Sequence, residues 1–332
     1  MKKIGITTTV PQEVLIAAGY KVIDLNNIFV TSNSYMEYID IAEKDGFPKS
    51  MCAWIKGLYG VCVKEGIEEV VGVIEGDCSN TRALVEVLRL KGIMVYPFAY
   101  PNSHRLEDVK KSLDDFMYIF NVKKSDVEDV RSRLNKVREL LIEVDNLTVE
   151  GYATGFENHL YLVSSSDFNG DYIEFEAMLR QKIKEIKERE RREYDVKLAY
   201  IGVPPMMGDI YDYMESIGAK IVYNEVQREF SFPRFKENKD IYDQYYDYTY
   251  PYDIEFRLKE IKKQIKERKI DGVIHYTQAF CYRGIEDIIV KSKLDVPVIN
   301  IEGDKLNELD ARTKLRLEAF VDMLKDRKGW RR

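Results

Sequence analysis

Apolar residues along this 332-residue chain fall into two arrangements: short continuous runs of strand length, and stretches in which they recur at every third or fourth position. The chain opens with a strand-like run KKIGITT, a loop TVP, a helix QEVLIAAG ended by Gly19, and a second strand YKVIDL. The same plan returns in VKLAYIGVPPMMGDIYDYMESIGAKIVY, where Pro204 and Pro205 are placed to open the helix and Gly218 to close it. Further on, helix TRALVEVLRLKG leads into strand IMVYPFAYP, and helix IEDIIVKSKL into strand VPVINIEGD. Strands alternating with helices pair in parallel, because each connection has to cross back over the sheet. The pattern predicts an α/β protein of two similar doubly wound, mainly parallel-sheet lobes, residues 1–104 and 195–332, with a helical, charged connecting region at 105–194.

Inside that connecting region, VEDVRSRLNKVRELLIEV and FEAMLRQKIKEIKERERREYD have the spacing of amphipathic helices, and KERERREYD reads as a solvated helix end. The tyrosine- and aspartate-rich IYDQYYDYTYPYD, residues 241–253, reads as an irregular connection with half-buried rings; the same rings and hydroxyls also suit the lining of a pocket.

Composition narrows the classes. A hydrophobic share of 45% over this length supports a sizeable core. No run approaches the ~18 apolar residues of a membrane-spanning helix, and threonines and Pro11 interrupt the opening before any apolar stretch of signal-peptide length, so the expectation is a cytoplasmic protein that meets no membrane. A formal charge of −6 lacks the basic excess that a nucleic-acid partner calls for.

Four cysteines, Cys52, Cys62, Cys78 and Cys281, are too few and too scattered for a disulfide framework. Two of them follow hydrophobic strands, Cys78 in EEVVGVIEGDCSN and Cys281 in IDGVIHYTQAFCYRG. Loops beyond the carboxyl ends of parallel strands are where ligands collect. Cys52, in FPKSMCAWIKGLYG, stands at the start of a helix, a position that favours a thiolate. These three thiols are therefore candidate ligands of one metal centre in a cleft between the lobes. Cys62 lies ten residues after Cys52, about 15 Å away along a continuous helix, so either Gly57 or Gly60 breaks that helix or Cys62 belongs to the core, which is the preferred reading.

Spacing alone leaves zinc and iron–sulfur both open, since no C-x-x-C is present. The histidines His104, His159 and His275 read as packed or solvated. No phosphate loop, nucleophile elbow, zincin helix or dinucleotide fingerprint occurs.

TTTVPQEVLIAAGYKVIDL, CAWIKG, GDCSNTRALVEVLRLKGIMVYPFAYP, DGVIHYTQAFCYRGIED, VPVINIEGD and ARTKLRLEAFVDML follow one another in the order of the signatures of a known family. The chain resembles the 2-hydroxyacyl-CoA dehydratase family, whose members include subunits of 2-hydroxyglutaryl-CoA dehydratase and benzoyl-CoA reductase. That resemblance implies a [4Fe-4S] cluster ligated by Cys52, Cys78 and Cys281 with one iron open, and one-electron, ketyl-radical chemistry under anaerobic conditions on an acyl-CoA thioester. It further implies a lyase or related reductase subunit, a separate ATP-dependent iron–sulfur activator protein, and a homo- or heterodimer with a related subunit. Glu13, Ser50 and Arg283, with Thr8 and Thr9, are placed where contact with substrate or cluster is open to them; for Glu13 and Ser50 hydrogen bonding at a helix terminus is the alternative. The alternatives are a non-catalytic iron–sulfur electron-transfer or accessory protein, a double-cubane small-molecule reductase, for which four cysteines are few, and a structural zinc protein.

Overall fold

The computed structural model describes residues 2–305 and 308–330. Contacts divide the chain into two units, one made of Met1–Glu139, Ser164–Ala177 and Glu229–Asp253, the other of Leu140–Val163, Met178–Arg228 and Ile254–Arg332. The stretch 105–194 is helical as its periodicity predicts, with helices Leu106–Ile119, Lys124–Glu150, Gly155–Val163 and Tyr172–Lys187. Its residues are shared out between the two units.

The protein is α/β, with two four-stranded sheets that are parallel throughout. In the first unit the strands are β1 (Lys2–Ile6), β2 (Tyr20–Asp24), β3 (Glu69–Glu75) and β4 (Met94–Ala99), in the order β2-β1-β3-β4. The central strands carry the core: Ile4, Ile6, Val70, Val71 and Val73 are wholly buried. Pro97, which has no N–H to give a ladder, sits in the edge strand β4.

The helices Tyr35–Lys44 and Ala53–Lys64 of this unit lie unusually close. A Cβ on Gly60 would stand 2.1 Å from the Tyr38 carbonyl oxygen, and one on Gly57 would stand 2.4 Å from the Phe29 ring. These glycines permit close packing, and the helix runs through both without a break.

In the second unit β5 (Val196–Gly202), β6 (Ala219–Asn224), β7 (Gly272–Gln278) and β8 (Val298–Gly303) repeat the same winding as β6-β5-β7-β8. Alternate residues of β5 face two separate cores. Leu198 and Tyr200 pack with Leu317, Phe320 and Leu324 of the helix Ala311–Trp330, whereas Ala199 and Ile201 pack with Leu258 and Ile261 of the helix Ile254–Glu267. A strand covered on both faces is apolar at nearly every position, which is why VKLAYIG, the half-buried Lys197 apart, reads as an apolar run. Pro204 and Pro205 do not open the next helix as expected. They stand in a loop, and the helix begins at Ile210 behind Asp209. A proline disfavours the helical conformation in the residue before it, so the pair postpones the helix.

Among the described residues no helix is long and apolar enough to cross a membrane.

In the first unit, the segment Ser164–Gly170 is fastened to β2 by two neighbouring carboxylates. The N–H of Asp24 donates to Asp167 at 2.8 Å, and the Ser166 hydroxyl donates to Asp24 at 2.5 Å. Burial, and then the charge of Asp24, pushes the Asp167 carboxyl up to about 7. The unfolded chain releases this proton near pH ~4, while the folded protein keeps it to about 7, so the group's contribution to stability falls as pH rises through that window. The urea midpoint of the wild-type protein is expected to drop between about pH 5 and pH 8, and that of D167N to drop less; parallel pH profiles would contradict the assignment.

Candidate functional site

The carboxyl ends of the parallel strands carry the chain's chemistry in both units. Cys78 follows β3 by three residues and is the N-cap of the helix Ser79–Leu90, its carbonyl accepting the N–H of Thr81 at 3.0 Å. Cys281 follows β7 by three residues and caps the 3-10 turn Tyr282–Gly284, its carbonyl accepting the N–H of Gly284 at 3.0 Å. The two thiols therefore hold equivalent places in two equivalent sheets, each after the strand at which the strand order reverses. Cys52 is the N-cap of the helix Ala53–Lys64. All three side chains begin a helical turn, where backbone N–H groups and the positive end of the helix favour an anionic sulfur.

Cys62 is different in kind. It lies inside the unbroken helix Ala53–Lys64, 1% exposed, and burial pushes its thiol up to about 12. None of the four cysteines is in a disulfide.

Glu13 turns out to be the centre of a buried network in the first unit. Its Oε1 accepts from Arg138 Nη2 at 2.6 Å and from Gln244 Nε2 at 2.8 Å, and its Oε2 lies 2.8 Å from the Tyr245 hydroxyl. Glu13 and Arg138 are both 0% exposed. Burial would raise the Glu13 carboxyl, but the charge and hydrogen bond of Arg138 outweigh it and hold the group below the usual range. A carboxylate so engaged fixes the loop after β1 and is not poised to take a proton.

Gln244 and Tyr245 come from the tyrosine-rich segment, which is irregular after Tyr246 and half-buried at Tyr242 and Tyr246 as expected, but more regular and more buried elsewhere. It forms the helix Ile241–Tyr246 and then a turn whose Tyr248, Tyr250 and Tyr252 are buried, with Tyr100 stacked on Tyr245. The Tyr250 hydroxyl donates to Asp77 at 2.9 Å, next to Cys78. Gly76, at a φ of +87°, lets Tyr100 and Pro251 approach to distances at which a Cβ would clash. The segment therefore closes over the carboxyl ends of β1 and β3.

Of the remaining candidates, Thr8 and Thr9 are buried after β1, and Ser50 is exposed in the turn before Cys52. Arg283 is 4% exposed, with Nη1 at 3.5 Å from Glu286. The histidines are packed: His104 stacks between Tyr246 and Tyr252, His159 on Tyr211, and His275 shares a 2.9 Å hydrogen bond with Asp287. Among the described residues, no three His, Cys, Asp or Glu side chains converge to hold a single metal ion.

Sequence reasoning missed Arg138, Gln244 and Tyr245 as partners of Glu13, and it missed Arg257 and Glu225 in the second unit, where a guanidinium at 2.8 and 3.0 Å grips a buried carboxylate. The available signal was slight, an arginine on the apolar stripe of VEDVRSRLNKVRELLIEV and another in IEFRLKEIKKQIKER.

The chain belongs to the family of the 2-hydroxyglutaryl-CoA dehydratase D-component, whose model matches residues 7–324. The matched span contains every strand but β1, which precedes it, and all four cysteines, and it makes the chain a subunit of the 2-hydroxyacyl-CoA dehydratase type. Compared one by one with curated proteins, the chain matches none of them.

Breaking the Glu13–Arg138 pair from one side strands a buried charge. Arg138→Met is expected to cost about 3–5 kcal/mol in urea unfolding, and adding Glu13→Gln to it should restore much of the loss. Equal destabilisation by the single and the double change would contradict the pairing.

Proposed function

We propose that the chain is the iron–sulfur subunit of a 2-hydroxyacyl-CoA dehydratase-type lyase, with Cys52, Cys78 and Cys281 as thiolate ligands of a [4Fe-4S] cluster. The observation that carries this reading is the matched placement of Cys78 and Cys281, three residues beyond β3 and β7 and each at the start of a helical turn. Cys52 adds a third thiol in the same local setting. The donor set fits such a group, because soft thiolates at helix N-termini suit iron–sulfur centres. Three thiolates serve one cubane. With Cys62 in the core, the chain lacks the ligands for two, which counts against a double-cubane reductase.

When bound, the cluster supplies a low-potential electron for a thioester and an iron position that no cysteine fills. The protein's own residues hold and shield that chemistry. The helix N-termini stabilise anionic sulfur, and the tyrosine-rich segment keeps water from the carboxyl ends of β1 and β3. Arg283, two residues past Cys281, offers a cation near the proposed site, and exposed Ser50 offers a hydroxyl beside Cys52. Glu13 orients the loop that bears Thr8 and Thr9. The substrate in this reading is an acyl-CoA thioester, as the family's description indicates. The chain holds no phosphate loop, so ATP-dependent electron supply belongs to a separate activator, and a related subunit completes the enzyme in the cytoplasm.

Protein purified without oxygen is expected to carry roughly four irons and four sulfides per chain. Cys52→Ala, Cys78→Ala and Cys281→Ala should each lose both elements together. Cys62→Ala should keep them while losing about 1–2 kcal/mol of stability from the vacated core. Stoichiometric zinc without sulfide, or the same loss of iron in C62A as in the other three variants, would overturn the proposal.

A further inference from the structure

The loop 279–286 that carries Cys281 is joined to the sheet at its near end, where the N–H of Ala279 donates to the Gly303 carbonyl at 2.7 Å, and within itself by short-range backbone bonds. Phe280 has a φ of +65° and is 63% exposed, Ile285 is 73% exposed, and the regular structure amounts to one 3-10 turn. Side chains fasten the loop at its far end. Glu286 Oε2 accepts from Nη1 of Arg257 at 2.6 Å, and the same oxygen lies 3.5 Å from Arg283 Nη1.

Arg257 stands on the helix Ile254–Glu267 and is 1% exposed. Its other edge, Nε and Nη2, donates to the two oxygens of Glu225 at 2.8 and 3.0 Å. Glu225 Oε2 also accepts the N–H of Gly202, the last residue of β5, at 2.9 Å. One guanidinium thus ties the end of β5 to the loop that follows β7, the two strands between which the sheet order reverses. Burial would raise the Glu225 carboxyl, but the charge of Arg257 outweighs it and holds the group below the usual range, so the pair stays ionised. Only a planar fork reaches two carboxylates from opposite edges; a lysine presents a single point of donation.

We infer that Arg257 is a positioning residue, fixing where Cys281 stands at the carboxyl edge of the second sheet. The inference deepens the proposed function and rests on it for the role of Cys281, while the tether itself is a property of the metal-free chain. Glu286 is the loop's handle and Glu225 the anchor. Arg283 is oriented by the same carboxylate that Arg257 holds.

Alkylation of the metal-free, full-length protein by iodoacetamide, followed cysteine by cysteine with peptide mass spectrometry, tests this, with Cys78 of the first unit as the internal reference. In R257K and R257Q the rate at Cys281 relative to Cys78 is expected to rise about five-fold or more, because the loop opens locally without its tether. R268K is the control for general loosening. Arg268 is another buried arginine of this unit, bonded to Asp145 and outside the network, and its replacement should leave the ratio unchanged. Should R257Q not fold, E286Q removes the charge from the loop side, where the carboxylate is 17% exposed, and is read in the same way. A ratio unchanged in R257K and E286Q, or raised equally in R268K, overturns the inference. Iron and sulfide play no part in this measurement, so its failure and the failure of the cluster reading are told apart.

Discussion

Parallel pairing is the constraint from which the rest of this protein follows. Two adjacent strands that run the same way cannot be joined by a tight turn, so the chain returns across the sheet, usually as a helix. Each such helix begins at the carboxyl edge and turns its unpaired N–H groups toward it. The edge collects electropositive backbone without any charged side chain, and anionic sulfur is suited to that setting. Cys78 and Cys281 sit three residues past β3 and β7 because that is where a strand gives way to the next helical turn.

The consequences differ between the two units in the means of bracing. In the first, bracing is aromatic. Tyr100, Tyr245 and Tyr248 fill the volume above β1 and β3, and Tyr100 and Tyr245 direct their hydroxyls to the carbonyls of Thr9 and Val10, which the sheet leaves without ladder partners. In the second, bracing is ionic, through Glu225, Arg257 and Glu286. Ionic bracing inside a protein carries a desolvation cost on every member, and it holds only while the set is complete. Both solutions draw their bracing groups from segments far away in sequence, which add to the short-range turns each cysteine loop makes for itself.

Periodicity by itself made the sheets legible. KKIGITT, YKVIDL, VKLAYIG and VPVINIEGD are strands built round short apolar runs, with polar residues such as Lys3, Lys21, Lys197 and Glu302 where a position is less covered. The place of Cys78 and Cys281 was legible from the short apolar runs VVGVI and GVI that precede them. What the pattern concealed was pairing at long range. Glu13 and Arg138 are 125 residues apart, and nothing local to either marks the other. The tyrosine-rich segment reads as half-buried because nothing local shows what covers its rings; the hydroxyls of Tyr245 and Tyr250 find acceptors only once the fold supplies them. Pro204 and Pro205 misled in another sense. A single proline suits the first turn of a helix, but a second one disfavours the helical conformation at the first.

The first unit is assembled from three separated pieces of chain, the last of them ending at Asp253. A ribosome emitting this protein therefore has to deliver more than three quarters of its 332 residues before the aromatic cover and Gln244 can reach the opening strands. Until then Glu13 and Arg138 lack two of their neighbours, and the carboxyl edge of the earliest sheet stays wet and unguarded. The order in which the polypeptide emerges thus leaves the first unit incomplete until its third piece has been made.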